Sequence, residues 1–404
     1  MRQRSGPLVR REFRLYFAGN LASNVGTWLS NVALSVYVRD LTNSSFWVGL
    51  TNSALFVPVL ILAIPAGALA DRTDRMRLLA RSQMAACALA GALTVLVATH
   101  TANRYAVVAI AAGLGVTIAL AIPAMQAMIP SLVPFDELPQ AIGLNALTFN
   151  IARAVGPVIA AATITTVGVT WAFGLNALSF VPLFVALMVI GRPPFPRPSE
   201  GPPGEMLEGL RYAWNHTRTR TMLLAMMAVS VSLDPITTVS PALARSYGLA
   251  TGSAGWIVSA WGAGAVVGIT LGRRFITSVT RRGVGWIGLV LQAAGLIALG
   301  VAPVIGWAIE GALLTGFGYI TSAIAFVTTI QSDVPERLRG RVMALWTLSF
   351  LGPRVVSAIV DGALADRFGP HIATAWFALP ALVAAFFVRH TVPPEHIEPV
   401  APAA

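Results

Sequence analysis

The chain has 404 residues, 56% of them hydrophobic and only 11% charged, with a formal net charge of +11. A soluble domain carries about 25% charged residues, so water is excluded as the solvent for most of this surface. All 28 basic residues are arginine and Cys87 is the one cysteine, which excludes a P-loop or Schiff-base lysine, a disulfide framework and a thiolate metal site within one chain.

The arginines sit in short clusters between long apolar runs, not in one patch, so no nucleic-acid partner is expected. The histidines (His100, His216, His371, His390, His396) are scattered with no HExxH pair. No metal, cofactor or enzyme chemistry is expected. With no ATP-binding motif, an ion gradient is the remaining common energy source.

From the N-terminus, Arg2, Arg4, Arg10, Arg11 and Arg14 lead into a long apolar segment with no small-residue cleavage site, which predicts an uncleaved first helix. Segments able to cross roughly 30 Å of hydrocarbon are predicted near 13–38, 46–70, 77–99, 104–130, 139–167, 170–191, 221–244, 252–275, 283–301, 304–330, 341–364 and 371–389. The expected fold is an all-α integral membrane protein with twelve transmembrane helices in two pseudo-symmetric six-helix bundles. The bundles span 1–191 and 221–404, the latter ending in a short disordered tail. A cytoplasmic linker, 192–220, separates them. Its Arg192–Pro198 stretch is too proline-rich for helix, and Glu205–Tyr212 reads as a short amphipathic surface helix.

Twenty-two of the 28 arginines fall in the termini and even-numbered loops, four in the odd-numbered loops and two inside helices. That asymmetry predicts both termini in the cytoplasm, with the chain in the cell (inner) membrane and the lipid bilayer as its solvent.

Asn24, Trp28 and Asn31 on the first helix, with Gln126 and Asn145 further on, are polar or aromatic candidates for a central cavity. After the second helix, Gly67 and Asp71 are four residues apart and share a face. The glycine would allow close helix approach, and the carboxylate could hold an arginine or a helix N-terminus at the cytoplasmic side. On the fifth helix Ala152, Gly156 and Ala160 form a small-residue stripe, and Pro157 should free a carbonyl and bend the helix.

Intramembrane charges are costly and tend to face a cavity or a partner. At 1.5 Å per residue from the cytoplasmic end, Arg153 lies about 21 Å along helix five and Arg354 about 20 Å along helix eleven. Asp234, followed by Pro235, lies about 20 Å along helix seven, and Glu310 about 9 Å from the outer end of helix ten. Asp234 and Glu310 are the proton-coupling candidates. Arg153 and Arg354 are expected to pair with Asp234 or to hold an anionic cargo. Asp361 is expected near the outer surface. A shift of 201 positions superposes Val133-Pro134 on Val334-Pro335, Arg153 on Arg354 and Gly168 on Gly369, the mark of a parallel repeat.

The run Gly67-Ala68-Leu69-Ala70-Asp71-Arg72-Thr73-Asp74-Arg75-Met76-Arg77 resembles the cytoplasmic gate motif (motif A) of the major facilitator superfamily, with Met76 intervening before Arg77. Asn150 to Ala161, around Gly156-Pro157, resembles the antiporter motif of that superfamily, with Ala160-Ala161 where a glycine pair is usual. From about residue 10 to 390 the chain resembles the drug and siderophore exporter branch called transmembrane secretion effectors. Strings carrying this include Asn24-Val25-Gly26-Thr27-Trp28, Pro130-Ser131-Leu132-Val133-Pro134 and Ala365-Asp366-Arg367-Phe368-Gly369. The resemblance implies a monomeric secondary transporter exporting a drug, antibiotic, siderophore or other small amphipathic molecule by proton antiport. An importer or lipid transporter of the same fold, or a non-transporting scaffold or sensor, is the alternative.

Overall fold

The computed structural model describes residues 6–191, 193–194, 206–276 and 281–391. Six long helices come first: α1 (Arg11–Thr42), α2 (Ser45–Arg72), α3 (Arg75–Ala98), α4 (Arg104–Leu132), α5 (Leu138–Thr166) and α6 (Val169–Ile190). Short polar side chains start two of them. The Asp74 carboxylate accepts from the backbone N–H groups of Met76 and Arg77 ahead of α3, and Asn103 accepts from Tyr105 and Ala106 ahead of α4. Each satisfies donors that an isolated helix start leaves open.

The amphipathic α7 (Met206–Asn215) precedes a second series whose crossings are less regular. Where one continuous seventh helix is predicted, the chain forms α8 (Thr217–Val231), α9 (Asp234–Thr238) and α10 (Ser240–Ser246). Pro235 and Pro241 sit in the first turns of the two short pieces, where a missing N–H costs nothing. Next come α11 (Ala254–Ile276), α12 (Arg281–Val301) and α13 (Ile305–Asp333). The eleventh crossing breaks at Gly352-Pro353 into α14 (Glu336–Leu351) and α15 (Arg354–Phe368), and the twelfth divides into α16 (Pro370–Trp376) and α17 (Ala378–Thr391).

Among the described residues eleven helical spans are long and apolar enough to cross a membrane. At 32 residues α1 is long enough as well. It falls short in apolarity because Asn20, Asn24, Asn31 and several serines interrupt it. The predicted disordered tail and most of the proline-rich linker lie outside the described residues.

Helices α1 to α6 pack chiefly on one another, and α8 and α11 to α17 do the same; α5 meets α11, and α2 meets α15, between the two sets. Those two contacts exchange under the 201-residue shift. The backbone repeats as well. Gly168 (φ 96°, ψ 164°) precedes α6 and Gly369 (φ 90°, ψ 156°) precedes α16, both in a region open essentially to glycine alone.

The two sets interlock at the arginine-poor end. A β-carbon at Gly49 would fall 2.0 Å from the Ala358 carbonyl oxygen, one at Gly362 2.2 Å from that of Ser45, and one at Gly255 2.6 Å from the Ala161 side chain. At the arginine-rich end Gly67, Gly143 and Gly340, on α2, α5 and α14, face open space. The molecule is closed at one end and parted at the other.

Candidate functional site

The breaks in the seventh and eleventh crossings lie side by side, and the buried charges gather there. Asp234 opens α9 and is 1% exposed. Arg354 opens α15, and its Nε donates to Asp234 Oδ1 at 3.1 Å. The Ser357 hydroxyl, one turn along α15, donates to Asp234 Oδ2. The guanidinium stacks over the Phe56 ring of α2, 4.6 Å to its centroid, and Asn52 of α2 donates to Thr238 of α9 at 3.2 Å. The break in the eleventh crossing also leaves the Phe350 carbonyl free, and the Ser230 hydroxyl of α8 donates to it. A carboxylate–guanidinium pair of one set thus rests against a helix of the other.

Arg153 takes a different environment. It is 2% exposed, yet among the described residues its guanidinium donates only to Asn150 Oδ1 at 2.5 Å and to the Tyr319 hydroxyl at 3.4 Å. It lies 5.3 Å from the ring centroids of both Trp261 and Tyr319 and 5.9 Å from that of Phe149. Such cation–π contacts stabilise a cation without neutralising it. Among the described residues the buried Nε of Arg153 and the indole Nε1 of Trp261 have no acceptor. The rings continue from Phe149 through Trp28, Trp261 and Tyr319 to Phe350, with centroids 5.9, 5.9, 5.6 and 6.4 Å apart. This aromatic row runs from α5 and α1 across to α11, α13 and α14.

Pro157 explains part of the geometry. Lacking an N–H, it frees the carbonyl of Arg153 four residues earlier. Against that oxygen stands Gly262 of α11, where a β-carbon would sit 2.6 Å away. On the other side of α5, a β-carbon at Gly156 would fall 2.6 Å from that of Trp28. The motif region is therefore clamped between α1 and α11.

The closed end is held by polar contacts across the sets. The Asp366 carboxylate, near the end of α15, accepts from the Ser45 N–H at 2.6 Å, the Phe46 N–H at 3.0 Å and the Ser44 hydroxyl, capping α2. Arg39 pairs with the same carboxylate at 3.3 Å. Arg245 bridges Asp40 at 2.8 Å and the Asn43 side-chain oxygen at 2.7 Å, and Thr251 donates to Asp40.

A family model described as transmembrane secretion effector matches residues 4–402. The chain belongs to this family. The enterobactin exporter EntS of Citrobacter koseri is 28% identical to this secretion effector over 370 residues, covering 89% of this chain and 86% of that protein. Its counterpart from Escherichia coli O127:H6 is 27% identical over 368 residues, with the same coverage. Among solved structures, a bacterial homologue of the lysosomal transporter Spinster, inward-facing and unoccupied, has a TM-score of 0.75 at 14% identity, covering 93% of this chain and 95% of that one. The peptide transporter POT has a TM-score of 0.77 at 12% identity, covering 94% of both chains. At such identities these structures establish the fold, that of the major facilitator transporters.

The secretion effector's predicted site residues fall into several settings. Asp234 and Arg354 form the buried pair; of the two arginines expected beside Asp234, Arg354 is the one that reaches it. Asn24 and Asn145 join Asn20 and Thr148 in a hydrogen-bonded network between α1 and α5, at 2.9 to 3.2 Å. Trp28 and Asn31 border a cavity with room for about one water molecule.

The remaining candidates stand apart from the buried pair. Glu310 is exposed on α13 and meets none of the buried charges, because its helix turns that face outward. Gln126 is likewise exposed. Gly67 packs against nothing within 4 Å, since the arginine-rich ends are apart. Arg72 and Arg77 are exposed and Arg75 half-buried, while the Asp71 side chain lies outside the described residues. Asp361, expected near the outer surface, lies toward the closed end and is fully buried there. Sequence reasoning missed Tyr319 and Phe350, which a search for buried charges does not flag.

Proposed function

We propose that this secretion effector is a proton-coupled antiporter that exports a small amphipathic molecule by alternating access. The family description and the names of the EntS relatives support export. The 22-to-4 arginine split supports a cytoplasmic placement of the parted end, so the conformation described is inward-facing.

The observation that carries the coupling mechanism is the Asp234–Arg354 pair, buried where two broken helices of one half meet α2 of the other. While Arg354 holds it, Asp234 is a carboxylate. A proton taken up by Asp234 cancels that attraction and frees Arg354, so the contact between the halves depends on protonation. Cargo enters from the parted end and reaches the aromatic row, where an anionic group on it would supply the counter-charge that Arg153 lacks. Proton uptake from outside and cargo release there then alternate with proton release and cargo uptake inside. The glycines facing open space, Gly67, Gly143 and Gly340, are the positions where helices can approach closely when the inner end shuts.

The test is accumulation of a panel of amphipathic natural products in cells with and without the protein. Lower accumulation with the protein is expected for at least one compound, and a protonophore should abolish the difference. A difference that survives the protonophore would overturn proton coupling, and greater accumulation with the protein would overturn export.

A further inference from the structure

A second buried carboxylate takes no part in the pair just described. Asp361 lies seven residues beyond Arg354 on α15, so Arg354, Ser357 and Asp361 follow one another along one face. It is 0% exposed, and among the described residues neither carboxylate oxygen has a hydrogen-bond partner. Around it the packing leaves no room: Gly362 lies against the backbone of Ser45 and Gly49 against that of Ala358, so α2 covers this part of α15.

The charged and titratable groups on the elements packed around Asp361 can be named. From α9 comes Asp234, which Arg354 and Ser357 already hold. On α15 itself Arg354 is already engaged by Asp234 and by the Phe56 ring. Between Ser45 and Phe56 α2 has no titratable residue. On α16, His371 is occupied by the Gly300 carbonyl and Ser246. Arg39 and Asp366 belong to the seal at the closed end. The nearby guanidinium is therefore taken by Asp234, and among the described residues Asp361 has no donor at all. An ionised carboxylate without donors at membrane depth is strongly unfavourable, whereas its acid form is neutral and gains an O–H to donate.

We propose that Asp361 is a proton-binding site, loaded in the conformation described and opened to the outer medium only when α2 and α15 part. Asp361 and Asp234 then stand in series, the first facing the outer side of the seal when it breaks and the second facing the inner crevice. The place of Asp361 in coupling rests on the transport mechanism proposed above; its protonation does not.

Infrared spectroscopy of the purified full-length protein in lipid bilayers at neutral pH tests this. The wild type should show the C=O stretch of a protonated carboxyl. That band should be lost in Asp361→Asn, kept in Asp234→Asn, and shifted but present in Asp361→Glu, which covers the case that the asparagine variant fails to fold. Its shift on transfer to heavy water should be at least tenfold faster in Asp366→Asn, where the seal is weakened. A spectrum with no band removed by Asp361→Asn and none shifted by Asp361→Glu overturns the proposal. So does a band that disappears on adding sodium chloride, which would make the site one for a metal cation. A band that behaves as expected in a protein that exports nothing in the accumulation assay would overturn the transport mechanism and leave the proton site standing.

Discussion

Asp234 and Arg354 need each other in a way that surface ion pairs do not. Removing one partner of a buried pair leaves the other uncompensated, at a cost of about 3–5 kcal/mol. Asp234→Asn alone should therefore lower the thermal unfolding temperature clearly. The double variant Asp234→Asn, Arg354→Gln should recover much of that loss while export driven by a proton gradient stays abolished. Thermal unfolding of the three proteins in detergent checks the first part. A double variant no more stable than the single one would mean that the pair is not the unit described here. The burial of these charges was legible in the sequence, because a charge inside an apolar run stands out. The partnership was not. Arg153 and Arg354 occupy equivalent depths in the two halves, and the choice between them is made by the break at Gly352-Pro353, which turns Arg354 and Ser357 toward α9. Glu310 shows the same limit from the other side, since depth along a helix does not say which face a residue occupies.

At the level of the helix, glycine and proline do the positioning. Gly262 admits the Arg153 carbonyl that Pro157 leaves without a partner, and a Cα–H···O contact is the interaction such closeness offers. Gly262→Ala places a methyl 2.6 Å from that oxygen and should destabilise the protein by about 1–3 kcal/mol, as overpacking does. Gly340→Ala, in open space on α14, should instead stabilise its helix by about 0.5–1 kcal/mol. Unfolding temperatures moving in opposite directions would bear this out; equal shifts would mean that α5 and α11 do not pack as described. The small-residue stripe and the proline of the fifth helix were readable in advance, and so was the Gly168–Gly369 correspondence, now seen as one backbone conformation used twice. The divided seventh, eleventh and twelfth crossings were not foreseen. A proline in the first turn of a short helix and one inside a long helix look alike in an apolar run, and packing decides between them.

Across the whole molecule, the number of crossings and the two-fold repeat followed from composition and spacing, since apolar length and turn residues recur whatever the conformation. Which end is closed did not follow, because the same residues serve both states. Asp366, Arg39, Arg245 and Asp40 hold one end here, while Gly67, Gly143 and Gly340 at the other end face open space. The central claim is that these two ends open in alternation around buried charges. Its most direct test is pulsed electron paramagnetic resonance in lipid bilayers with two spin-label pairs in a Cys87→Ser background. One pair, at Leu41 and Leu249, spans the closed end, and the other, at Ala146 and Thr347, spans the parted end. Acidification, or the Asp366→Asn substitution, should lengthen the first distance and shorten the second within the same population of molecules. Distances that stay fixed at both ends, or that change in the same direction, would contradict the account.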